Sequence, residues 1–187
     1  MSSVEKLPPH VSAMLRLEEA DGLDRAVAAV APVVDAAFAT GWRGRLLRGD
    51  WLGHALHPLL TDVVIGTWTS ATVLDAVGGD DSRGAARTLV GVGLAAVGPT
   101  AWTGWAEWSG SGPREQRVGV VHAVTNGAAI GLYGASYLSR RRGRHASGAA
   151  LALAGAAAMG AAAYLGGHLS TAREVGSRHP AFEATAA

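Results

Sequence analysis

Four long runs almost free of charge take up most of the chain beyond its N-terminal segment: residues 59–77, 88–106, 118–139 and 146–169. A helix needs about 20 mostly apolar residues to cross a bilayer, and each run has that length. The first carries Asp62 and Asp75 near its two ends; the second carries Pro99 and no charge. The third is uncharged, and the fourth is rich in alanine. Short links of Gly, Ser, Pro and charge join them (GGDDSRGAAR, EWSGSGPREQR, RRRGR) and read as turns. The expected fold is therefore all-α: a four-helix transmembrane bundle, up-down-up-down, over residues 51–170.

Composition agrees. Charged residues make up 17% of the 187 positions, against about 25% in an ordinary soluble domain. A net charge of +1 offers no surface for nucleic acid, and the lack of cysteine excludes disulfides, thiolate metal sites and cysteine nucleophiles. The start of the chain, MSSVEKLPPH, has no apolar core of a cleaved signal peptide. Residues 1–50 form an interfacial segment. Within it, Asp21, Asp24, Arg25 and Asp35 share one side of a helical wheel, opposite Leu23, Val27, Val30, Val34, Ala37 and Phe38. That pattern predicts an amphipathic helix over 12–40, kinked at Pro32, lying in the interface or capping the bundle. Residues 171–187 read as a flexible tail.

With four spans, the starts of the odd helices and the ends of the even ones share one membrane face, side A. His54 and His57 precede or open the first span, His122 lies about one turn into the third, and His168 ends the fourth. Glu107, Trp51, Trp102, Trp105 and Trp108 fall at the same face, with Asn126 one turn below His122. Tryptophan alone would be an interfacial belt. Polar groups at membrane depth usually mark function, so four imidazoles from three spans predict a site.

Neutral imidazole ligates haem iron, copper, zinc and non-haem iron. His122 and His168 could clamp a b-type haem, leaving His54 or His57 for a propionate. Alternatively, His54, His57, His122 and His168 hold a single transition-metal ion, with Asp62 or Glu107 behind them. The run GAALALAGAAAMGAAAYLGG in the fourth span repeats small residues at i, i+3 and i+4. Such faces allow close helix approach, within the chain or in an oligomer, or leave room for a flat cofactor. The two readings are thus a haem-binding electron-transfer protein and a metal-binding or proton-handling membrane protein, a transporter or an assembly subunit. Hydrolase chemistry is disfavoured because WSGSG around Ser109 is no nucleophile elbow. GVGLAAVG and GAAIGLYG lack the strand that a dinucleotide site requires.

The motifs WLGHALHPLLTDVVIGTWTSATVLD, GPTAWTGWAEWS, RVGVVHAVTN and AAYLGGHLS occur in this order over about residues 42–172. They resemble the DUF2231 family of predicted bacterial membrane proteins, and EEADGLDRAV resembles its actinobacterial members. The HxxHP element carries over to His54, His57 and Pro58, the third-span histidine to His122, and GGHLS to Gly166, Gly167 and His168. Val63 and Val64 stand where many relatives have a proline. The resemblance implies a redox setting, with a Rieske or cytochrome-type partner.

Arg140, Arg141, Arg142 and Arg144 crowd the turn between the third and fourth spans. The positive-inside rule then predicts a multi-pass protein of the cell membrane, with that turn in the cytoplasm and both termini on the outer face.

Overall fold

A computed structural model of the chain describes residues 7–176, and these are all-α, without a strand. Three short helices come first: α1 (Pro9–Glu18), α2 (Asp24–Val34) and α3 (Gly41–Arg48). Four long ones follow: α4 (His57–Val77), α5 (Arg83–Ser109), α6 (Pro113–Arg141) and α7 (His145–Gly167). Pro58 and Pro113 stand in the first turns of α4 and α6, where a missing N–H costs nothing. Of the four, α6 and α7 (the latter extended to Ala172) are long and apolar enough to cross a membrane by length and composition.

The N-terminal segment differs from the single kinked helix expected. The break falls at residues 19–23, not at Pro32, which lies inside α2, and a π-helical turn (Asp35–Ala39) follows. Breaking there lets α1 and α2 fold back on the side A end of the long helices. Met14 packs with Val118 and Leu165, and Val34 with Trp108 and Val120. Arg117 fastens the fold-back, donating to both carboxylate oxygens of Asp24 (2.6 and 2.9 Å) and to the Glu18 carbonyl (2.9 Å). The segment caps the bundle.

At the other terminus the chain stays packed beyond Thr171. A π-helical turn (His168–Ala172) continues α7, and Arg173 reaches Glu18. The remainder of the expected tail, with Arg178 and His179, lies outside the described residues.

The long helices pair as two hairpins, α4 with α5 and α6 with α7. Between hairpins, α5 packs on α6 and α7 on α4, so α4 and α6 stand diagonally across the bundle. The second hairpin repeats the first. His57, Thr61, Val64, Trp68 and Asp75 of α4 correspond, at one constant spacing, to His122, Asn126, Ala129, Tyr133 and Arg140 of α6. Val90, Gly93, Thr100 and Gly104 of α5 correspond likewise to Ala152, Gly155, Ala162 and Gly166 of α7. Equivalent side chains meet across the approximate two-fold axis. Trp68 stacks on Tyr133 with ring centroids 3.8 Å apart and planes 19° from parallel. Further down, the Arg140 guanidinium pairs with the Asp75 carboxylate.

The core is apolar, built on Val64, Trp68, Val90 and Tyr133, and Arg140, Ser136, Thr103 and Glu18 are buried with it. Val73, Val92, Val124, Leu138 and Leu153 face outward. Only 28% and 22% of the apolar windows of α6 and α7 are buried, far less than a soluble core helix would require.

Candidate histidine site between two helical hairpins

His57 opens α4. Its Nδ1 lies 2.9 Å from the Thr100 carbonyl of α5 and 3.2 Å from Thr103 Oγ1. A carbonyl can only accept, so Nδ1 carries the proton and Nε2 keeps the lone pair. His122 does the same in the second hairpin: Nδ1–H donates to the Ala162 carbonyl of α7 at 2.9 Å. Each ring lies against a glycine one turn beyond its acceptor. A Cβ on Gly104 would stand 2.8 Å from His57 Cε1, and one on Gly166 would stand 2.9 Å from His122 Cε1. Both imidazoles are therefore held at equivalent positions of the two hairpins, in the same tautomer.

The Nε2 atoms have different neighbours. Asn126 donates its Nδ2–H to Nε2 of His122 at 3.0 Å. Thr61 Oγ1 is 3.5 Å from Nε2 of His57 but donates to the His57 carbonyl at 2.9 Å. This leaves His57 Nε2 with the weaker partner.

The other two histidines do not join them. His168 Nε2 meets Glu18 Oε1 at 2.6 Å, and Arg173 Nε donates to the same oxygen at 2.7 Å. A nitrogen donating to a carboxylate has no lone pair for a metal. Glu18 is 1% exposed, and its carboxyl lies below the ordinary carboxylate range, first because Arg173 donates to it and then because His168 does. His54 is exposed, in a loop set by Gly49, whose left-handed backbone (φ 80°) brings its Cα against the His54 carbonyl. It lines an open cleft with Arg48, Asp50, Glu107, Glu115 and Arg173. Glu107, just beyond the 88–106 run, has its carboxyl pushed up to about 7, chiefly by burial, with Arg48 opposing.

The expectations for the surrounding residues divide similarly. Asp62 is exposed and makes no side-chain hydrogen bond or ion pair among the described residues, so the expected approach to a histidine is not found there. Asn126 does support His122. Trp105 packs edge-to-face on Trp108 (5.3 Å), Trp102 is 49% exposed, and neither bonds to a histidine. Among the small residues of α7, Tyr133 fills the space beside Gly155 and His122 that beside Gly166, whereas Gly160 and Gly167 have nothing within 4 Å of an added Cβ. Among the described residues, no group of three or more His, Cys, Asp or Glu could hold a metal ion.

Sequence reasoning missed Glu18, Arg173, Trp68, Tyr133 and the partnership of Arg140. Arg140 stands among the arginines of the turn between the third and fourth runs, yet it is 1% exposed. A signal for all but the first two existed: the order histidine, polar, aromatic, charged recurs at identical spacing over residues 57–75 and 122–140.

No curated protein and no solved structure matches this chain. A family model described as a predicted membrane protein (DUF2231) matches residues 53–179, which include both hairpins and the histidines at 54, 57, 122 and 168. This match over most of the chain leads to one assignment: the chain belongs to the DUF2231 family of predicted membrane proteins.

Proposed function

We propose that the chain crosses the cell membrane four times, holds a b-type haem through His57 and His122, and serves membrane electron transfer. The observation that carries this reading is the shared tautomer of two imidazoles at equivalent positions of facing hairpins. Nδ1–H of each is committed to a carbonyl, which fixes the ring and leaves Nε2 as the nitrogen that could ligate, in His122 once Asn126 gives up its hydrogen bond to it. Four spans are supported by outward-facing apolar side chains on all four long helices, α4 and α5 included.

Haem bound there would supply one-electron transfer. The protein's own part is to hold both rings against Gly104 and Gly166 and to keep water from them with the α1–α2 cap. Since the chain has no cysteine, electrons would pass to a separate protein, for which a Rieske or cytochrome-type partner fits. Arg141, Arg142 and Arg144, all exposed, favour the α6–α7 turn in the cytoplasm and the histidines toward the outer face. Active alkaline phosphatase and dark GFP fused after Ala187 would agree; the opposite pattern reverses the orientation.

Asn126 on Nε2 of His122 favours a second reading, in which the imidazoles only tie helices together or handle a proton or a metal. One preparation decides between them. Protein purified in mild detergent from haem-replete cells should show a Soret band that shifts on reduction. A colourless protein ends the haem reading, and stoichiometric metal without porphyrin in the same sample would establish the second.

A further inference from the structure

The opposite end of the bundle carries an unassigned feature. Between α5 and α6 lies an open cleft of ≈ 770 Å³, with Arg87 and Arg141 at its rim and Tyr137 along one wall. Gly91 makes the depth: a Cβ there would stand 3.0 Å from Tyr137 Cε2. Beyond the rim the lining is apolar, with Val92 (45% exposed) and Ala95. Arg141 is the last residue of α6, a helix long and apolar enough to cross a membrane, so the rim lies at the water interface. From Arg87 to Ala95 the helix rises about 12 Å, so the floor runs from that interface into the hydrocarbon.

The charge at this rim is uncompensated. Arg83, Arg117, Arg140 and Arg173 each pair with a carboxylate. Arg87 and Arg141 pair with none among the described residues, and no acid lines the cleft. The cleft at the side A end, by contrast, is lined by Asp50, Glu107, Glu115 and Glu174.

We propose that the α5–α6 cleft binds one anionic phospholipid, its phosphate between the Arg87 and Arg141 guanidiniums and an acyl chain along Val92 and Ala95. A planar guanidinium suits phosphate, and two of them need more negative charge than a zwitterionic headgroup supplies. A water-soluble phosphate would leave the apolar floor unused. Basic pockets between spanning helices are suited to such headgroups on physical grounds, since each arginine near the surface adds to the attraction.

The test is native mass spectrometry of the full chain, delipidated in mild detergent and titrated separately with phosphatidylglycerol and phosphatidylcholine. One phosphatidylglycerol per chain should bind about thirtyfold more tightly than phosphatidylcholine, given two arginines at about 1 kcal/mol each. Inorganic phosphate in excess should not displace it. R87Q/R141Q should abolish the preference, while R142Q/R144Q, in the adjacent turn, should keep it. Equal affinity for the two lipids overturns the proposal, as does displacement by inorganic phosphate. Equal loss in both double variants would also overturn it, because interfacial charge in general would then be responsible. Should R87Q/R141Q fail to fold, A95F fills the floor without touching a charge; unchanged phosphatidylglycerol binding in A95F would equally refute the site.

Discussion

The α4–α5 and α6–α7 hairpins occupy equivalent places and make equivalent contacts, yet they differ at each position on the shared axis except the histidines. The first offers Thr61, Trp68 and Asp75, and the second Asn126, Tyr133 and Arg140. Two identical units would put aspartate against aspartate, or arginine against arginine, in a buried place. Like charges there repel with no water to screen them. Opposite charges at equivalent positions remove that conflict, and the second hairpin supplies additional support to its arginine. Ser136 Oγ accepts from Arg140 Nε at 3.1 Å, and Gly148 gives the side chain room. The two hairpins thus differ at the one place where symmetry would set like charges together, while the two histidines, which need not differ to coexist, are alike.

The largest effect should come from the histidines. If the hairpins contribute equivalent ligands, His57→Ala and His122→Ala should each abolish the Soret band, with membrane insertion intact, while His145→Ala leaves it unchanged. Loss from one variant only would break the equivalence, and loss from all three would indicate general misfolding.

At the ion pair, Arg140→Ala leaves Asp75 unpaired in the interior and should cost about 3–5 kcal/mol in unfolding by denaturing detergent. The exchange D75R/R140D tests the two-fold relation directly. It should recover part of that loss, though not all, because Ser136 and Gly148 serve only position 140. A double variant no more stable than the worse single one would count against the relation.

Smaller differences are expected at the glycines. A Cβ on Gly93 would stand 2.1 Å from Trp68 Nε1, and one on Gly155 would stand 2.9 Å from Tyr133 Cδ2. G93A should therefore cost about 1–3 kcal/mol, and G155A less, since a smaller displacement relieves it. The reverse order, measured by the same unfolding, would mean that the tryptophan side is the more adaptable one.

The smallest effect concerns the cap. Glu18 has a carboxyl held below its ordinary value, so its contribution is full above the unfolded value of about 4.3 and fades as pH falls through the lower folded value. Docking of α1 should hold from neutral to mildly acidic pH and loosen only under strong acid. Limited proteolysis of the N-terminal segment across pH would report this, and release already between pH 7 and 5 would contradict it.

Much of this architecture was legible beforehand. The four runs of residues each became a helix, because uncharged length and flanking Gly, Pro and charge leave few alternatives. The histidine face was legible too, though only as a depth: His57 and His122 take equivalent places in the two hairpins, whereas His168 pairs with Glu18. That could not be foreseen, since Glu18 lies 150 positions away along the chain and belongs to a segment read as an interfacial helix. The small residues of α7 were ambiguous between packing and cofactor room, and only the fold assigns Gly155 and Gly166 to packing, against Tyr133 and His122.

By itself, then, the sequence determined what each segment prefers locally: which stretches avoid water, where helices begin and stop, and which polar residues lie at which height. Those properties depend on residues near one another along the chain and on the solvent or lipid they meet. Tertiary structure alone decided which partners each polar group found: Thr100 for His57, Ala162 for His122, Arg140 for Asp75, Glu18 for His168. A buried polar group must be satisfied by whatever donor or acceptor packing brings within about 3 Å, and helix packing, not sequence proximity, sets that neighbourhood.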